Sequence, residues 1–375
     1  MRAKLQAHIS GNRDELRTLV IIFLRGGADG LNMVAPVQDA GYHKARPRIA
    51  LKESGALRLD GFFALHPLLK ELKPGFDSGQ LGIVHAAGSE DSTRSHFEAQ
   101  DLMEHGGIVA GGWLGRFLRC KTPAADGALS AIALGQQLPE SLRGAPSVTV
   151  LRSLADFSFG RDARKFRLGL EKLYEGGQDA LAAAGRDTLG ALRKIEALRK
   201  TPYSPAHGAE YETGDYSRGL QQIAQLVKAR VGLEAATLDL DGWDSHFQQG
   251  FVMDPRMMQL SRGLSAFMRD LGVMLETVSV VVMTEFGRRF FENSALGTDH
   301  GRGSVMFLAG GGVKGGRVYG TWPGLTDDVL EGPGDLPVTT NYRDVLAPIL
   351  ARHGAGAALS RIFPDHGLKP LGIYG

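Results

Sequence analysis

The chain has 375 residues and 43% hydrophobic content, enough for one large domain or two of ordinary size around a packed core. Its 43 Lys and Arg nearly balance its 41 Asp and Glu without forming a basic block, so it lacks the electrostatic signature of a nucleic-acid partner. Cys120 is the single cysteine, which excludes an intrachain disulfide and leaves the redox compartment open.

We expect no targeting signal in the first residues of the chain. The first eighteen residues are charged throughout, and the apolar run at 19–24 is too short for a signal-peptide core or a membrane span. We therefore expect no transmembrane segment and, by default, a cytoplasmic location, although a processed precursor would look the same.

Apolar runs that alternate with helical stretches indicate an α/β protein. The run "TLVIIFLR" stops at Arg25, Gly26 and Gly27, which is typical of a strand buried on both faces of a parallel sheet. Further strands are predicted at 81–85, 131–134, 147–151, 236–240, 278–284 and 305–309, and helices at 257–275 and 178–200. We expect one domain over 1–375, with a helical or loop insertion around 155–216.

Polar clusters lie at predicted strand ends, where open parallel sheets bind ligands. Asp29 follows the first strand, although an Asp-Gly turn also explains it. In "GWDSH", Asp244 and His246 are two residues apart, which in an extended loop turns both toward one cation, with Asp241 as a further donor. The alternative is a loop in which Asp244 caps a turn and His246 is exposed.

Two further clusters flank the predicted strands at 278–284 and 305–309. Glu285 suits a metal, while Arg288 or Arg289 would neutralise an anionic substrate; a salt-bridged loop is the alternative. Asp299 and His300 lie in a glycine-flanked turn, where they can converge on one ion, serve two neighbouring ions, or simply form a turn.

A nucleophile is expected from "STRSHFEAQD". The Ser95 hydroxyl lies at a predicted helix N-terminus, which favours an incoming anion. Ser95 and Glu98 also match the S-x-x-E capping box, which explains the same residues without catalysis.

Together, "FLRGGADGLNMVAP", "RSHFEAQD", "GWDSH", "TEFGRR", "GTDHG" and "TTNYRDVLAPIL" resemble the uncharacterised family called domain of unknown function 1501. That family looks like a distant branch of the alkaline phosphatase and sulfatase superfamily. The resemblance implies a three-layer α/β fold with a mostly parallel central sheet, helices on both faces, and one or two divalent metals beside a Ser, Thr or modified Cys nucleophile. It also implies that many relatives are exported by the twin-arginine route.

Residue by residue, the resemblance makes Asp29 a metal-binding carboxylate, Ser95 the nucleophile, and Asp244 with His246 a ligand pair. Asp299 with His300 resembles the Asp-His-Gly element or the final ligand histidine. The chain departs from the superfamily pattern because only Ser245 separates Asp244 from His246, and because Glu285 stands where Asp-His-Gly is expected. The sulfatase C-x-P-x-R signature is absent at Cys120.

The sequence hypothesis is a metal-dependent hydrolase of a phosphate or sulfate ester, carried by a small molecule or a glycan. The expected metal ligands are Asp29, Asp244, His246, Glu285, Asp299 and His300. The metal would activate Ser95 or a water, and Arg25 or Arg288 would assist as a catalytic residue. Zn, Mn, Ca, Mg and Fe all stay open as the metal. The alternative is a non-catalytic or cell-associated binding protein that keeps the fold.

Overall fold

The computed structural model describes residues 16–122, 127–156, 163–200 and 202–375. The strands in this part are β1 (Thr18–Arg25), β2 (Val34–Ala35), β3 (Leu57–Arg58), β4 (Ala64–Leu65), β5 (Leu81–Gly88), β6 (Ala131–Leu134), β7 (Thr149–Leu151), β8 (Ala235–Asp241), β9 (Val278–Met283), β10 (Ser304–Gly310), β11 (Val318–Tyr319) and β12 (Thr340–Asn341). Every strand predicted from the sequence is present, as β1 and β5 to β10.

The helices in the same residues are α1 (Gly30–Met33), α2 (Ala40–Ala45), α3 (Lys73–Asp77), α4 (His96–His105), α5 (Trp113–Cys120), α6 (Ala163–Glu175), α7 (Ala180–Arg199), α8 (Asp215–Lys228), α9 (Gln249–Leu271), α10 (Tyr342–Leu350) and α11 (Leu359–Ile362). The helix predicted at 178–200 is α7. The helix predicted at 257–275 is α9, which begins eight residues earlier and continues through Pro255, a residue inside the helix.

The central sheet has the strand order β11-β5-β10-β9-β1-β8-β6-β7, with β12 paired to β5, and a small antiparallel sheet is formed by β2, β4 and β3. Its core is built on both faces, since alternate residues of β1 point to opposite sides. Val20, Ile22 and Leu24 pack in a cluster with α8 and α9, whereas Leu19, Ile21 and Phe23 pack in a cluster with α5 and α10. The predicted α/β class is confirmed.

One strand departs from the parallel arrangement, because β10 is antiparallel to both β9 and β5. The chain leaves β9, forms the loop 284–303, and returns in the next strand of the sheet. Residues that follow β9 and residues that precede β10 therefore share one edge of the sheet. This edge is also the carboxyl end of β1, β5 and β8, which run parallel to β9.

The predicted insertion at 155–216 contains α6 and α7, which contact each other, and the first residues of α8. Ala191 and Ile195 of α7 pack into the core cluster on the α8 and α9 side of the sheet. Its assignment as an insertion into a single domain stays a prediction. None of the helices described is both long and apolar enough to cross a membrane.

Candidate metal centre

Four side chains converge at the carboxyl edge of the sheet. Asp244 and His246 follow β8, His300 precedes β10, and His96 opens α4 after β5. Ligand atoms of His96, Asp244 and His300 all lie within 4.8 Å of one another. The Nε2 atom of His246 lies 2.8 Å from Nε2 of His300 and 3.2 Å from Oδ1 of Asp244. We call these four residues the His/Asp cluster.

Each histidine of the cluster donates its Nδ1 hydrogen to a neighbouring acceptor. The pairs are His96 Nδ1 with Glu285 Oε1 at 2.8 Å, His246 Nδ1 with Asp299 Oδ1 at 3.2 Å, and His300 Nδ1 with the Arg94 carbonyl oxygen at 2.7 Å. Ionised carboxylates and carbonyl oxygens only accept hydrogen bonds, so each Nδ1 carries the hydrogen. In the neutral rings, each Nε2 then presents a lone pair to the cluster.

The Nε2 atoms of the cluster lack ordinary partners. The two lone pairs of His246 and His300 face each other at 2.8 Å, a contact that is stabilised only by a proton or a cation between them. Nε2 of His96 is buried without a hydrogen-bond partner in the described residues, 3.7 Å from Oδ2 of Asp244. Burial lowers the pKa of His300, which favours the neutral, electron-donating ring.

Glu285 supports the cluster from behind and does not enter it. Its fully buried carboxylate accepts hydrogen bonds from Nδ1 of His96, Nε2 of Gln100, the backbone N–H of Gly26 and the hydroxyl of Thr284. Burial alone would raise the pKa of Glu285, but these donors lower it, so the group is ionised. Glu285 was expected to be a metal ligand, but its contacts fix the ring of His96 instead.

Asp299 has the corresponding place behind His246. It accepts from Nδ1 of His246 at 3.2 Å, from Nη1 of Arg289 at 3.3 Å and from Nδ2 of Asn293 at 3.4 Å. Burial would raise the pKa of Asp299, but the hydrogen bonds from His246 and Asn293 and the charge of Arg289 lower it. Of the adjacent pair Asp299 and His300, the histidine reaches the cluster and the aspartate orients the ring of His246.

The guanidinium of Arg288 is bonded to other groups of the protein and is not exposed to a substrate. Its buried guanidinium donates to the carbonyl oxygens of Gly26, Gly27 and Thr298, and to Oδ1 of Asp244 at 2.7 Å. Burial would raise the pKa of Asp244, but the hydrogen bond and charge of Arg288 lower it. The anion-binding role expected for Arg288 is at odds with this geometry, in which its donors are used to hold Asp244.

Asp29 and Arg25 also lie outside the His/Asp cluster. Asp29 is fully buried and forms a salt bridge with Arg46, whose guanidinium supplies the positive charge that a metal was expected to supply. Arg25 forms salt bridges with Glu104 at 2.6 Å and with Asp239 at 2.7 Å. Each difference from the sequence hypothesis arises because a partner distant in the chain folds onto the predicted residue.

Ser95 is the N-cap of α4, and its Oγ accepts from the Glu98 backbone N–H at 3.5 Å. The Glu98 carboxylate accepts from the Thr93 hydroxyl. This bond replaces the second bond of a capping box, which would run from the Ser95 backbone N–H to the Glu98 carboxylate. No hydrogen bond joins Ser95 to the His/Asp cluster in the described residues, and the expectation of a nucleophile there stays a prediction.

Two glycines allow the loops of the site to approach each other. A Cβ atom on Gly26, which has φ +120°, would lie 2.6 Å from the backbone nitrogen of Asp244. A Cβ on Gly301 would lie 2.4 Å from the backbone carbon of Arg288, where Arg288 and His300 form an antiparallel bridge. These contacts explain why the motifs that carry the cluster are rich in glycine.

Sequence reasoning missed His96. It lies beside Ser95, which matched a nucleophile and a cap, and these two interpretations explain the whole stretch. The available signal was its position, because the predicted strand at 81–85 ends at the same sheet edge as the strand before Asp244.

The fold and the site define an α/β protein with a cluster of histidine and aspartate side chains that could hold a metal ion at the carboxyl edge of its sheet. The chain belongs to the family described as "Protein of unknown function (DUF1501)", whose model matches residues 90–359. The resemblance inferred from the motifs is thereby confirmed. No curated protein shows significant sequence similarity to the chain.

Several solved structures are similar to this chain at low identity. Ps i-CgsB in complex with k-i-k-neocarrahexaose is 12% identical, with 95% of this chain and 75% of that chain covered and a TM-score of 0.39. BT1596, a 2-O GAG sulfatase, is 10% identical, with coverage of 95% and 76% and a TM-score of 0.38. Alkaline phosphatase from the Antarctic bacterium TAB5 is 9% identical, with coverage of 81% and 95% and a TM-score of 0.24.

Proposed function

We propose that this protein is a metal-dependent hydrolase of a phosphate or sulfate ester, with one divalent cation held by the His/Asp cluster. The observation that supports the proposal most directly is the set of three histidines that direct Nε2 toward Asp244 while each Nδ1 donates elsewhere. A backing acceptor on the far ring nitrogen is the usual arrangement around a metal-bound histidine.

The donors fit a transition-type cation better than a hard one. Three imidazole nitrogens and a carboxylate oxygen suit Zn, Mn or Fe, whereas Ca and Mg prefer oxygen ligands. A cation would also resolve the facing lone pairs of His246 and His300 and provide a partner for the buried Nε2 of His96. The described residues gather one such cluster, so the proposal takes one metal and not two.

A divalent cation in this cluster would supply polarisation of the ester oxygens. The residues of the chain hold the geometry for that chemistry: Glu285 and Asp299 fix the rings of His96 and His246, and Arg288 fixes Asp244. Water is the nucleophile that we propose, because no hydrogen bond joins the Ser95 hydroxyl to the His/Asp cluster in the described residues. Attack by the Ser95 hydroxyl is the alternative and has its own test below.

The rest of the substrate has room in a groove of about 800 Å³ along the carboxyl ends of β6 and β8. Gln100 joins the groove to the site, since it lines the groove and donates to Glu285 at 2.9 Å. Among the described lining residues, carboxylates such as Asp101, Asp156 and Asp241 outnumber arginines. Like charges are costly at an interface, so we propose an ester whose remaining part carries no negative charge, such as a small molecule or a short neutral glycan.

The test combines metal analysis with hydrolysis. Purified protein, stripped with a chelator and reloaded with Zn, Mn or Fe, is assayed on p-nitrophenyl phosphate, bis-p-nitrophenyl phosphate and p-nitrophenyl sulfate. The proposal is supported if the protein binds stoichiometric metal and hydrolyses one of the esters, and if this hydrolysis is lost when the metal is removed. A protein that binds none of the three metals contradicts it.

The second candidate is a metal-containing binding protein without catalysis. It is supported by two observations: Arg288 donates to backbone carbonyls, and Ser95 caps a helix. The residues expected to bind the anion and to act as nucleophile therefore have structural contacts. Stoichiometric metal without turnover on any of the three esters would favour this candidate.

A further inference from the structure

A network of buried polar side chains connects the loops that carry the His/Asp cluster. Its centre is the salt bridge between Asp29 and Arg46, both of whose side chains are 0% exposed. Nε2 of Gln249, the first residue of α9, donates to Oδ2 of Asp29 at 2.7 Å. Both oxygens of Asp29 are therefore occupied by donors from two separate segments.

Gln249 extends the network to both ligand loops. Its Oε1 accepts from the hydroxyl of Thr298 at 2.7 Å and from the hydroxyl of Ser245 at 3.3 Å. Ser245 lies between Asp244 and His246 in the chain, and Thr298 lies two residues before His300. The same side-chain amide thus bonds to Asp29, to the loop after β8 and to the loop before β10.

Arg46 anchors the other part of the 284–303 loop. Its Nη2 donates to the carbonyl oxygen of Arg289 at 2.8 Å and its Nε to that of Phe290 at 2.7 Å. Arg289 follows Arg288, which holds Asp244. The position of the cluster is thereby set from both ends of this loop.

We propose that Asp29, Arg46 and Gln249 are positioning residues that set the separation between Asp244 and His246 on one loop and His300 on the other. The inference rests on the proposed metal site and concerns residues that would not touch the metal. A buried carboxylate with both oxygens bonded holds its partners rigidly, and loss of its charge leaves Arg46 buried without a counter-ion. The ligand loops would then relax apart, although every ligand is still present.

The test is the variant Asp29→Asn, with Co²⁺ as the probe in the full chain. We expect the Kd for Co²⁺ to rise about 10–100-fold, as for other residues that support metal ligands, and the visible absorption bands of bound Co²⁺ to shift. The band positions report ligand geometry, which a loss of stability alone would not change. The gentler variant Gln249→Met removes the bonds to both loops without unpairing Arg46, and we expect the same changes.

The matched control is Asp270→Asn. Asp270 is also a fully buried carboxylate, paired with Lys228 and bonded to Tyr203 and Tyr211. It lies near the other end of α9 from Gln249, about 30 Å away at 1.5 Å per residue. We expect this variant to lower the Tm while it keeps the wild-type Kd and spectrum.

Unchanged Co²⁺ affinity and spectrum in folded Gln249→Met and Asp29→Asn would overturn the positioning role and leave the proposed metal site intact. If Asp29→Asn does not fold, Gln249→Met alone decides between these outcomes. A wild-type protein that binds no Co²⁺ would overturn both the metal site and this inference.

Discussion

Nε2 of His246 faces Nε2 of His300 at 2.8 Å, although both rings donate through Nδ1 to other groups. Two neutral rings held in this way present lone pairs to each other, which is unfavourable without a positive charge between them. The backing acceptors Asp299 and Arg94 prevent either ring from resolving the conflict by a change of tautomer. The loops therefore hold a geometry that needs a cation or an extra proton.

Removal of two ligands is the first test of the His/Asp cluster. We expect the double variant Asp244→Ala, His300→Ala to lose stoichiometric metal and, with it, hydrolysis, because both the shared carboxylate and one imidazole are gone. The measurement is elemental analysis of the purified variant. Asp241→Asn, at the end of β8 and outside the cluster, serves as control and should keep its metal. Retained stoichiometric metal in the double variant would exclude this site.

Glu285→Gln tests the support behind His96. The amide keeps the shape of the side chain, but it lacks the charge that fixes the Nδ1 hydrogen of His96. We expect metal affinity to fall about 10–100-fold in a chelator competition assay. Glu98→Gln, in the helix that carries His96, is the control, because Glu98 accepts from Thr93 and not from the cluster. Equal affinity in Glu285→Gln and wild type would show that Glu285 has no part in metal binding.

Ser95 is tested with a substitution that separates capping from nucleophilic attack. Ser95→Ala should lower the free energy of unfolding by about 1 kcal/mol through loss of the cap. Ser95→Asn restores a capping group without the hydroxyl, and we expect wild-type stability together with retained hydrolysis if water is the nucleophile. Urea unfolding and the ester assay check the two quantities. Abolished hydrolysis in a stable Ser95→Asn variant would identify the hydroxyl as the nucleophile.

The buried ring of His85 is expected to make the free energy of unfolding depend on pH. Its Nε2 donates to the Val34 carbonyl and its Nδ1 accepts from the Ala86 N–H, and burial lowers its pKa to about 4. The unfolded chain therefore binds more protons than the folded chain between about pH 6.5 and 4. The contribution of His85 to stability is complete above this window and is lost as the pH falls through it.

The measurement is the free energy of unfolding of metal-free protein in urea at several pH values. Each proton taken up on unfolding contributes about 1.4 kcal/mol per pH unit, and we expect His85→Gln to reduce the slope by up to that amount. Equal slopes for the variant and the wild type would mean that His85 is not held neutral.

The strands could be predicted because each is a continuous apolar run, and Asp244, His246 and His300 could be nominated because they follow or precede such runs. The antiparallel direction of β10 could not, since a buried strand has the same pattern in either direction. That direction brings His300 to the same edge as Asp244, so the cluster depended on a feature that periodicity does not encode.

The roles of Asp29, Arg288 and Glu285 depended on tertiary partners. Asp29 is a carboxylate after a strand, a position that predicts a metal ligand. In the structure it is bonded to Arg46, and nothing in the sequence near Asp29 indicates that contact. Arg288 likewise binds the carbonyls of Gly26 and Gly27, which come from the first strand end. Local sequence identified groups at the sheet edge, while the fold decided which of them face the cluster and which hold it.

The cluster brings together the chain after β5, the chain after β8 and the chain before β10, three segments far apart in sequence. With a single cysteine, the protein has no intrachain disulfide to join them. A bound cation would therefore act as a reversible cross-link between these segments, binding the folded chain in preference to the unfolded one. Resistance of the fold to unfolding would then depend on the supply of metal and not on the redox state of the compartment.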